Sequence, residues 1–531
     1  MSTYHVENFG CRATQADGAA LERQFERLGM NRSSDPAQSD LVILNTCTVT
    51  AAADQDARAA IRRVRRHNPT AKIVITGCYA QRAPEEVAAL PGVACVVGNS
   101  HKHQLAEIVL SKVLKPVNAN SAFFPVAGLF PHTASEDNLE LQTENWSREA
   151  GSMGQEGRMF VSNIFAHTEL LAAPVFDLTG AHESDRTRPN LKVQDGCDNR
   201  CSFCVIPYVR GQSRSLPLVE VLREVKALVD AGYRELVISG INLGRWGRDL
   251  DGGHRTSDLG PQTSDLSKTV VAEVRRLRSE VGGLRFEDLI RAVLAETALE
   301  KLRISSVEPM DWSSELIGLM AESPRIAKHA HVPMQSGSDA VLRRMHRKYR
   351  PWHYREKIEQ IRAAIPTAAI GADVMAGFPG ETDAEFEATR RLIADLPFTY
   401  LHVFTYSARP GTPAATQPGQ VPVNVARERN RILRELGEEK KLAFLRGFVG
   451  KTAEAITLRT RAADSSVGRV NSTSAERTAA RESDTDFTEA LTDNYLKLHL
   501  KGRHEPNRWL RARVEDVADG ALMGVVDPGF V

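Results

Sequence analysis

The chain has 531 residues, 42% hydrophobic and 25% charged, with 68 basic and 67 acidic side chains and a net charge of +1. That length exceeds one ordinary core and predicts several domains, while the balance excludes a disordered chain and leaves any nucleic-acid contact to local patches. Seven cysteines in such a length exclude a disulfide-stapled scaffold. Met1–Phe9 lacks the basic-then-apolar layout of a signal peptide, and no apolar run reaches the roughly 18 residues of a spanning helix, so a cytoplasmic location without membrane contact is expected.

Residues 1–114 alternate apolar runs, at Thr3–Asn8, Asp40–Asn45, Ala71–Thr76 and Val93–Gly98, with helical stretches at Thr14–Leu28, Ala51–His67, Pro84–Ala89 and Lys102–Val113. Strand and helix in turn predict an α/β domain with a doubly wound parallel sheet. Cys11, Cys47 and Cys78 each follow a predicted strand closely. Open α/β sheets bind ligands at that edge, so three thiols far apart in sequence can converge there. Residues 115–188 are polar, hold no sustained period and read as a linker or insertion.

A second alternating series starts at Asn190, with strand-like runs at Asn190–Gln194, Glu235–Ser239, Lys301–Ser306, His329–Pro333, Ala369–Ala376 and Tyr400–Tyr406. Six βα units over residues 189–423 predict a partial (β/α)6 barrel with its functional groups at the C-terminal ends of the strands. A polar insert at 248–283 is expected to hang from the surface. Residues 424–448 predict a helical connector. The runs Ala453–Leu458, Tyr495–Leu500, Trp509–Val517 and Ala521–Val526 predict a small all-β barrel over 449–531, with its own polar insert at 462–486.

Cys197, Cys201 and Cys204 stand within eight residues directly after the first barrel strand. Three thiolates so spaced can wrap one side of a metal centre. A structural zinc wants four ligands, and the loop has no fourth Cys or His. A 4Fe–4S cluster is also normally held by four thiolates, so three leave one iron open to chelate a small molecule.

This C-x-x-x-C-x-aromatic-C loop resembles that of the radical S-adenosylmethionine (SAM) superfamily. The flanking Gln194-Asp195-Gly196 and Val205-Ile206-Pro207-Tyr208-Val209-Arg210-Gly211 sharpen the likeness, as do the runs His331–Asp339, Gly377–Thr382 and Tyr406–Pro413. Together they resemble the methylthiotransferase family. The resemblance implies two 4Fe–4S clusters, one on Cys197, Cys201 and Cys204, and an auxiliary one on Cys11, Cys47 and Cys78 that carries or supplies sulfur. It implies a tRNA methylthiotransferase consuming two molecules of S-adenosyl-L-methionine. One methylates cluster-bound sulfur; the other yields a 5′-deoxyadenosyl radical that removes hydrogen from C2 of a modified adenosine beside the anticodon. The partners implied are the anticodon loop of tRNA, an electron donor such as flavodoxin or ferredoxin, and a sulfur donor.

Gly240–Gly247 and Arg344–Tyr349 look most like the branch acting on N6-threonylcarbamoyladenosine, with the N6-isopentenyladenosine branch as alternative. More distant alternatives are a ribosomal-protein aspartate methylthiotransferase, a non-catalytic iron–sulfur RNA-binding protein and a structural zinc protein. As implied cofactor contacts the family points to Gly240, Asn242, Ser306, Glu308, Gln335 and Ser336 at strand ends, where turns and caps are the ordinary alternative. Gly377–Thr382 lacks the lysine of a phosphate-binding P-loop, and Gly377 is expected to let backbone approach an adenine. Two basic runs, Arg62, Arg63, Arg65, Arg66 and Arg343, Arg344, Arg347, Lys348, Arg350, suit either phosphate contact or a solvated helix face. The C-terminal barrel, carrying Lys497, Lys501, Arg503, Arg508 and Arg511, resembles the RNA-binding TRAM module. Cys95 lies inside an apolar run and is expected to fill core.

Overall fold

The computed structural model describes residues 2–114, 158–167, 187–250, 283–459 and 487–527. The insert expected at 462–486, nearly all of 248–283 and most of 115–188 lie outside the described residues. The chain divides into two compact units: Met1–Gly10, Leu21–Thr48 and Ala52–Ile164 form one, and Cys11–Ala20, Val49–Ala51 and Phe165–Val531 the other.

In the first unit, six parallel strands run in the order β2-β1-β3-β4-β5-β6: β1 Thr3–Asn8, β2 Asn31–Arg32, β3 Leu41–Thr46, β4 Lys72–Gly77, β5 Val93–Gly98 and β6 Met159–Phe160. β3 is buried along its whole length because helices cover both faces of the sheet. Val42, Leu44, Ile73 and Ile75 pack with Ala57, Ala60, Ile61 and Val64 of helix α2 (Ala51–His67). Leu41, Ile43 and Val74 face the other way, against Leu21 and Phe25 of helix α1 (Arg12–Arg27). The period of two thus divides one apolar run between two cores. Residues 158–167, expected within a linker, instead contribute edge strand β6; two residues are too few to leave a period.

The second unit holds six parallel barrel strands: β7 Asn190–Asp195, β9 Glu235–Gly240, β10 Lys301–Ile304, β11 His329–His331, β12 Ala369–Ala376 and β13 Tyr400–Thr405. β7, β9 and β10 pair in one sheet, with the short antiparallel β8 (Arg214–Ser215) beside β7. β11, β12 and β13 pair in another, and the parallel bridges Leu302↔Ile326 and Ser306↔His331 join the two into a partial barrel. Leu191, Val193, Leu236, Ile238, Leu302, Ile304, Ile370 and Ala372 enter the apolar core under the helices. The residues between them take the other face and pair across it, as in Glu235–Arg303 at 2.6 Å and His331–Asp373 at 3.4 Å. The barrel interior is therefore polar, unlike the packed branched-aliphatic layers of a closed (β/α)8 barrel.

The helix Val423–Arg446 leads into a closed barrel, β14-β15-β16-β18-β17: β14 Thr452–Thr457, β15 Phe487–Thr492, β16 Lys497–Lys501, β17 Trp509–Ala518 and β18 Ala521–Val526. The turn between β15 and β16 is fastened to the larger barrel. Arg303 reaches the carbonyls of Asp493 (3.0 Å) and Thr492 (3.2 Å), and the Tyr495 ring lies 4.5 Å from that of His329. Residues 11–20, expected with the N-terminal domain, belong by contact to this unit. The cause is ionic: Asp17 lies within salt-bridge distance of both Lys192 and Arg210. No described helix is long and apolar enough to cross a membrane.

Candidate functional site

β7 ends at Asp195, and the chain must turn at once. Gly196 does this with φ +71°; a Cβ there would meet the Gln212 carbonyl oxygen at 1.8 Å. The Gly196 N–H donates to Asp195 Oδ1 (2.9 Å), and the Cys197 N–H donates to the Gly211 carbonyl (3.0 Å). Asp195 is itself fixed by Lys192 (2.8 Å) and Arg210 (3.0 Å), all three side chains being at most 6% exposed. Downstream, Ser202 anchors the loop: its N–H donates to the Met345 carbonyl (3.1 Å) and its hydroxyl to that of Arg344 (2.7 Å).

Cys197, Cys201 and Cys204 share this loop, and donors point at two of the sulfurs. Cys197 Sγ accepts from the Asn199 N–H at 3.4 Å and faces Asn242 Nδ2 at 3.7 Å; Cys201 Sγ accepts from Arg347 Nη1 at 3.3 Å. Burial pushes the Cys197 thiol up to about 11, against the pull of the Asn199 N–H. Burial, and after it the Cys201 thiol, pushes Cys204 up to about 12. N–H groups aimed at sulfur favour the thiolate, and removing the protons takes a metal centre. No three of the described His, Cys, Asp or Glu side chains stand as ligands of a single metal ion. A cluster takes one thiolate per iron and holds its ligands wider apart, so the donor set fits a cluster bound through three cysteines.

Two family models match the chain: the uncharacterized protein family UPF0004 over residues 3–98, and the radical SAM superfamily over residues 191–393. A "Threonylcarbamoyladenosine tRNA methylthiotransferase MtaB" of Bacillus subtilis is 30% identical over 95% of this chain and 92% of its own length. Its namesake in Aquifex aeolicus is 32% identical over 96% and 99%. The chain belongs to the radical SAM methylthiotransferase family. Within it the chain falls on the MtaB branch. A "tRNA-2-methylthio-N(6)-dimethylallyladenosine synthase" of Novosphingobium aromaticivorans is 32% identical over 86% of this chain and 87% of its own. As a radical SAM methylthiotransferase the enzyme works with two 4Fe–4S clusters and S-adenosylmethionine.

The methylthiotransferase's other predicted contacts fall into two groups. Gly240 ends β9 beside Gln194, whose Oε1 accepts from the Asn242 N–H (2.7 Å) and so aims Asn242 at Cys197. Glu308 pairs with Arg347, the residue on Cys201. Ser306 hydrogen-bonds His331 Nδ1 (2.6 Å), whose Nε2 lies 3.4 Å from Asp373 Oδ1. Gln335 has φ 63° and a buried Oε1 without a hydrogen-bond partner, a free acceptor close to the end of β11. Ser336 and Gly377 are occupied otherwise. The Ser336 hydroxyl binds Thr389 (3.1 Å) and the Ser338 N–H (3.1 Å), closing its own turn. Gly377 has φ +77°, and a Cβ there would lie 2.5 Å from that of Ala426, so helix packing already accounts for a glycine where an adenine contact was expected.

Of the N-terminal cysteines, Cys47 follows β3 and Cys78 opens helix α3 (Cys78–Arg82) after β4; both are buried in the first unit, and Asn99 Nδ2 faces Cys78 Sγ at 3.6 Å. Cys11 is exposed and belongs to the second unit. Cys95 is core, as expected: it is 1% exposed among Leu41, Val74 and Val97, and burial pushes its thiol up to about 12.

The basic run at Arg343–Arg350 divides. Arg344 makes a bidentate pair with Glu385 (3.0 and 2.8 Å), and Arg343 and Arg350 share Asp339. Arg347 turns inward, while Lys348 stays exposed. On α2, Arg63 pairs with Glu7 (2.6 Å), leaving Arg62, Arg65 and Arg66 on the exposed face. In the small barrel Arg508 pairs with Glu505 (2.9 Å), and Lys497 and Lys501 lie exposed at the two ends of β16.

Sequence reasoning missed Asp17 and Lys192, buried charges that brace the cysteine loop from outside the motifs, and Arg303, which ties the small barrel to the larger one.

Proposed function

We propose that this enzyme is a tRNA methylthiotransferase that places a methylthio group on C2 of N6-threonylcarbamoyladenosine beside the anticodon. The observation that carries the reading is the Cys197–Cys204 loop at the end of β7, with N–H donors aimed at its sulfurs and a polar barrel interior below it. The names of the Bacillus subtilis and Aquifex aeolicus relatives support the choice of base.

When bound, the clusters and two molecules of S-adenosylmethionine supply a methyl group to sulfur and a hydrogen-abstracting 5′-deoxyadenosyl radical, because a C2–H bond offers neither an acidic proton nor a leaving group. The protein's own part is to hold and orient. Cys197, Cys201 and Cys204 would hold one cluster, and the family resemblance gives the other to the N-terminal cysteines. Asn242 and Gln335 present polar atoms toward the cofactor, and the exposed lysines of β16 meet RNA phosphates. A loop nucleotide that can be splayed out of its stack suits a site this recessed. Reduction and sulfur come from a flavodoxin- or ferredoxin-type donor and a separate sulfur donor.

Mass spectrometry of tRNA nucleosides tests the reading in a deletion strain complemented with the wild type or with Cys201→Ala. The expected result is loss of 2-methylthio-N6-threonylcarbamoyladenosine in the deletion, restored by the wild type alone. Loss of the methylthio isopentenyl nucleoside instead would move the assignment to the other branch. Unchanged methylthio-adenosines in every strain would end it.

A further inference from the structure

Arg347 lies outside every cysteine motif, yet it is the only described cation that donates to a sulfur of the loop. Its position follows from how a helix ends. The helix Asp339–Arg344 stops with His346 in the left-handed region, φ 57°. The His346 N–H returns to the Arg343 carbonyl (3.0 Å) and the Arg347 N–H to that of Leu342 (2.9 Å). This paired closure, a Schellman motif, fixes the backbone of Arg347 and starts its side chain inward. The preceding carbonyls of that same helix end, Arg344 and Met345, hold Ser202, the neighbour of Cys201. Cys201 and Arg347 are therefore mounted on one rigid frame.

The guanidinium is saturated in three directions. Nη1 donates to Cys201 Sγ (3.3 Å), Nη2 pairs with Glu308, and Nε donates to the Tyr349 hydroxyl (3.2 Å). Tyr349 is itself held at the carbonyls of Pro333 (3.1 Å) and Met334 (2.8 Å), with its ring 5.0 Å beneath the guanidinium. A planar fork so clamped cannot swing away to serve another group. Hydrogen bonds to cluster sulfurs, net charge and burial set an iron–sulfur potential, and a buried cation on sulfur stabilises the reduced, more negative state.

We propose that Arg347 is a redox-tuning and positioning residue: through its hydrogen bond to Cys201 it raises the potential at which the cluster on Cys197, Cys201 and Cys204 takes up its electron, and Glu308 sets how far. The proposal rests on those three cysteines holding a cluster, and on nothing about the RNA substrate.

The test is an EPR-monitored potentiometric titration of the anaerobically reconstituted full-length enzyme. The cluster is identified as the one whose signal changes on adding S-adenosylmethionine. Arg347→Met is expected to shift the midpoint to more negative values, by removing both charge and hydrogen bond. Glu308→Gln is expected to shift it the opposite way, by leaving Arg347 unneutralised. Arg347→Lys, which keeps the charge without the fork, should fall between Met and wild type, and it carries the test if the Met variant fails to fold. Midpoints that stay put, or that move in the same direction in the Met and Gln variants, would overturn the proposal. So would an unmoved midpoint with weakened S-adenosylmethionine binding, which would make Arg347 a cofactor ligand. Wild-type protein that takes up no iron through Cys197, Cys201 and Cys204 would instead sink the cluster assignment beneath it.

Discussion

The ammonium of Lys192 and the carboxylate of Asp17 meet at 2.5 Å although 175 residues separate them in the chain. With Asp195 and Arg210 they form a buried tetrad of two acids and two bases directly behind the cysteine loop. Burial alone would push Lys192 down, but Asp17 and Asp195 outweigh it and its pKa is raised. Burial alone would push Asp195 up, but Arg210 and Lys192 outweigh it and hold it far below the usual carboxylate range. A carboxylate depressed in this way contributes stability that is complete above about pH 4 and lost only as the pH falls further.

Breaking such a set from one side strands a charge. Asp17→Asn is expected to cost about 3–5 kcal/mol, seen as a lower urea midpoint with loss of iron on reconstitution. The double change Asp17→Leu with Lys192→Met should cost less than the sum of its parts. Additive costs would show that the two side chains do not interact.

Gly196 gives a sharper local test. Any side chain there must sit at φ +71° and displace the Gln212 carbonyl, 1.8 Å from the Cβ position. Gly196→Ala is expected to abolish uptake of the cluster on Cys197, Cys201 and Cys204, read as loss of about half of the bound iron, and to destabilise the fold by at least about 2 kcal/mol. Full iron content in that variant would mean the turn is not what aims Cys197.

How much of this was legible in advance depends on range. Val93–Gly98 and Ala51–His67 are found as expected, because an all-apolar run and an amphipathic helix announce themselves locally. Asn31–Arg32, Met159–Phe160 and Arg214–Ser215 carry no such signal: two-residue strands exist only because a neighbour offers an edge. Cys197, Cys201 and Cys204 stand out in the sequence by their spacing, and Cys11, Cys47 and Cys78 only by their places after predicted strands. Lys192 does not, since its partner Asp17 lies on a distant helix. Nor could composition say which arginine of the Arg343–Arg350 run turns inward; a single left-handed residue, His346, decides that.

The thiols carry a pH signature. In the cluster-free protein Cys197 and Cys204 keep their protons up to about 11 and about 12, so loading iron must expel them. Reconstitution is therefore expected to speed up several-fold between about pH 7 and about pH 9, followed by absorbance against a pH series. Because folding raises these pKa values, their contribution to stability is intact below the ordinary thiol value of 9.0 and fades as pH climbs through the raised ones. The cluster-free enzyme should accordingly lose thermal stability at alkaline pH, and the loaded enzyme much less. Alkylation supplies a control: exposed Cys11 should label quickly in the native cluster-free protein, and Cys95, buried and pushed up to about 12, should not. Reconstitution rates that ignore pH would contradict this account.

Gly377 separates packing from cofactor recognition. Its N–H donates to Glu381 (2.7 Å), Glu381 pairs with Arg429 (2.8 Å), and Arg429 shares the helix Val423–Arg446 with Ala426, whose Cβ fills the space a side chain on Gly377 would need. The Gly377–Thr382 loop is thus seated on a helix that leads toward the C-terminal barrel. Gly377→Ala should cost about 2–3 kcal/mol from the positive φ and the clash together, measured by urea unfolding. Adding Ala426→Gly removes the clash but not the strain, at about 1 kcal/mol of helix propensity. The double variant should consequently recover about 1 kcal/mol relative to additivity. If Gly377→Ala unfolds like wild type yet binds S-adenosylmethionine at least tenfold more weakly, the glycine serves the cofactor and the helix contact is incidental.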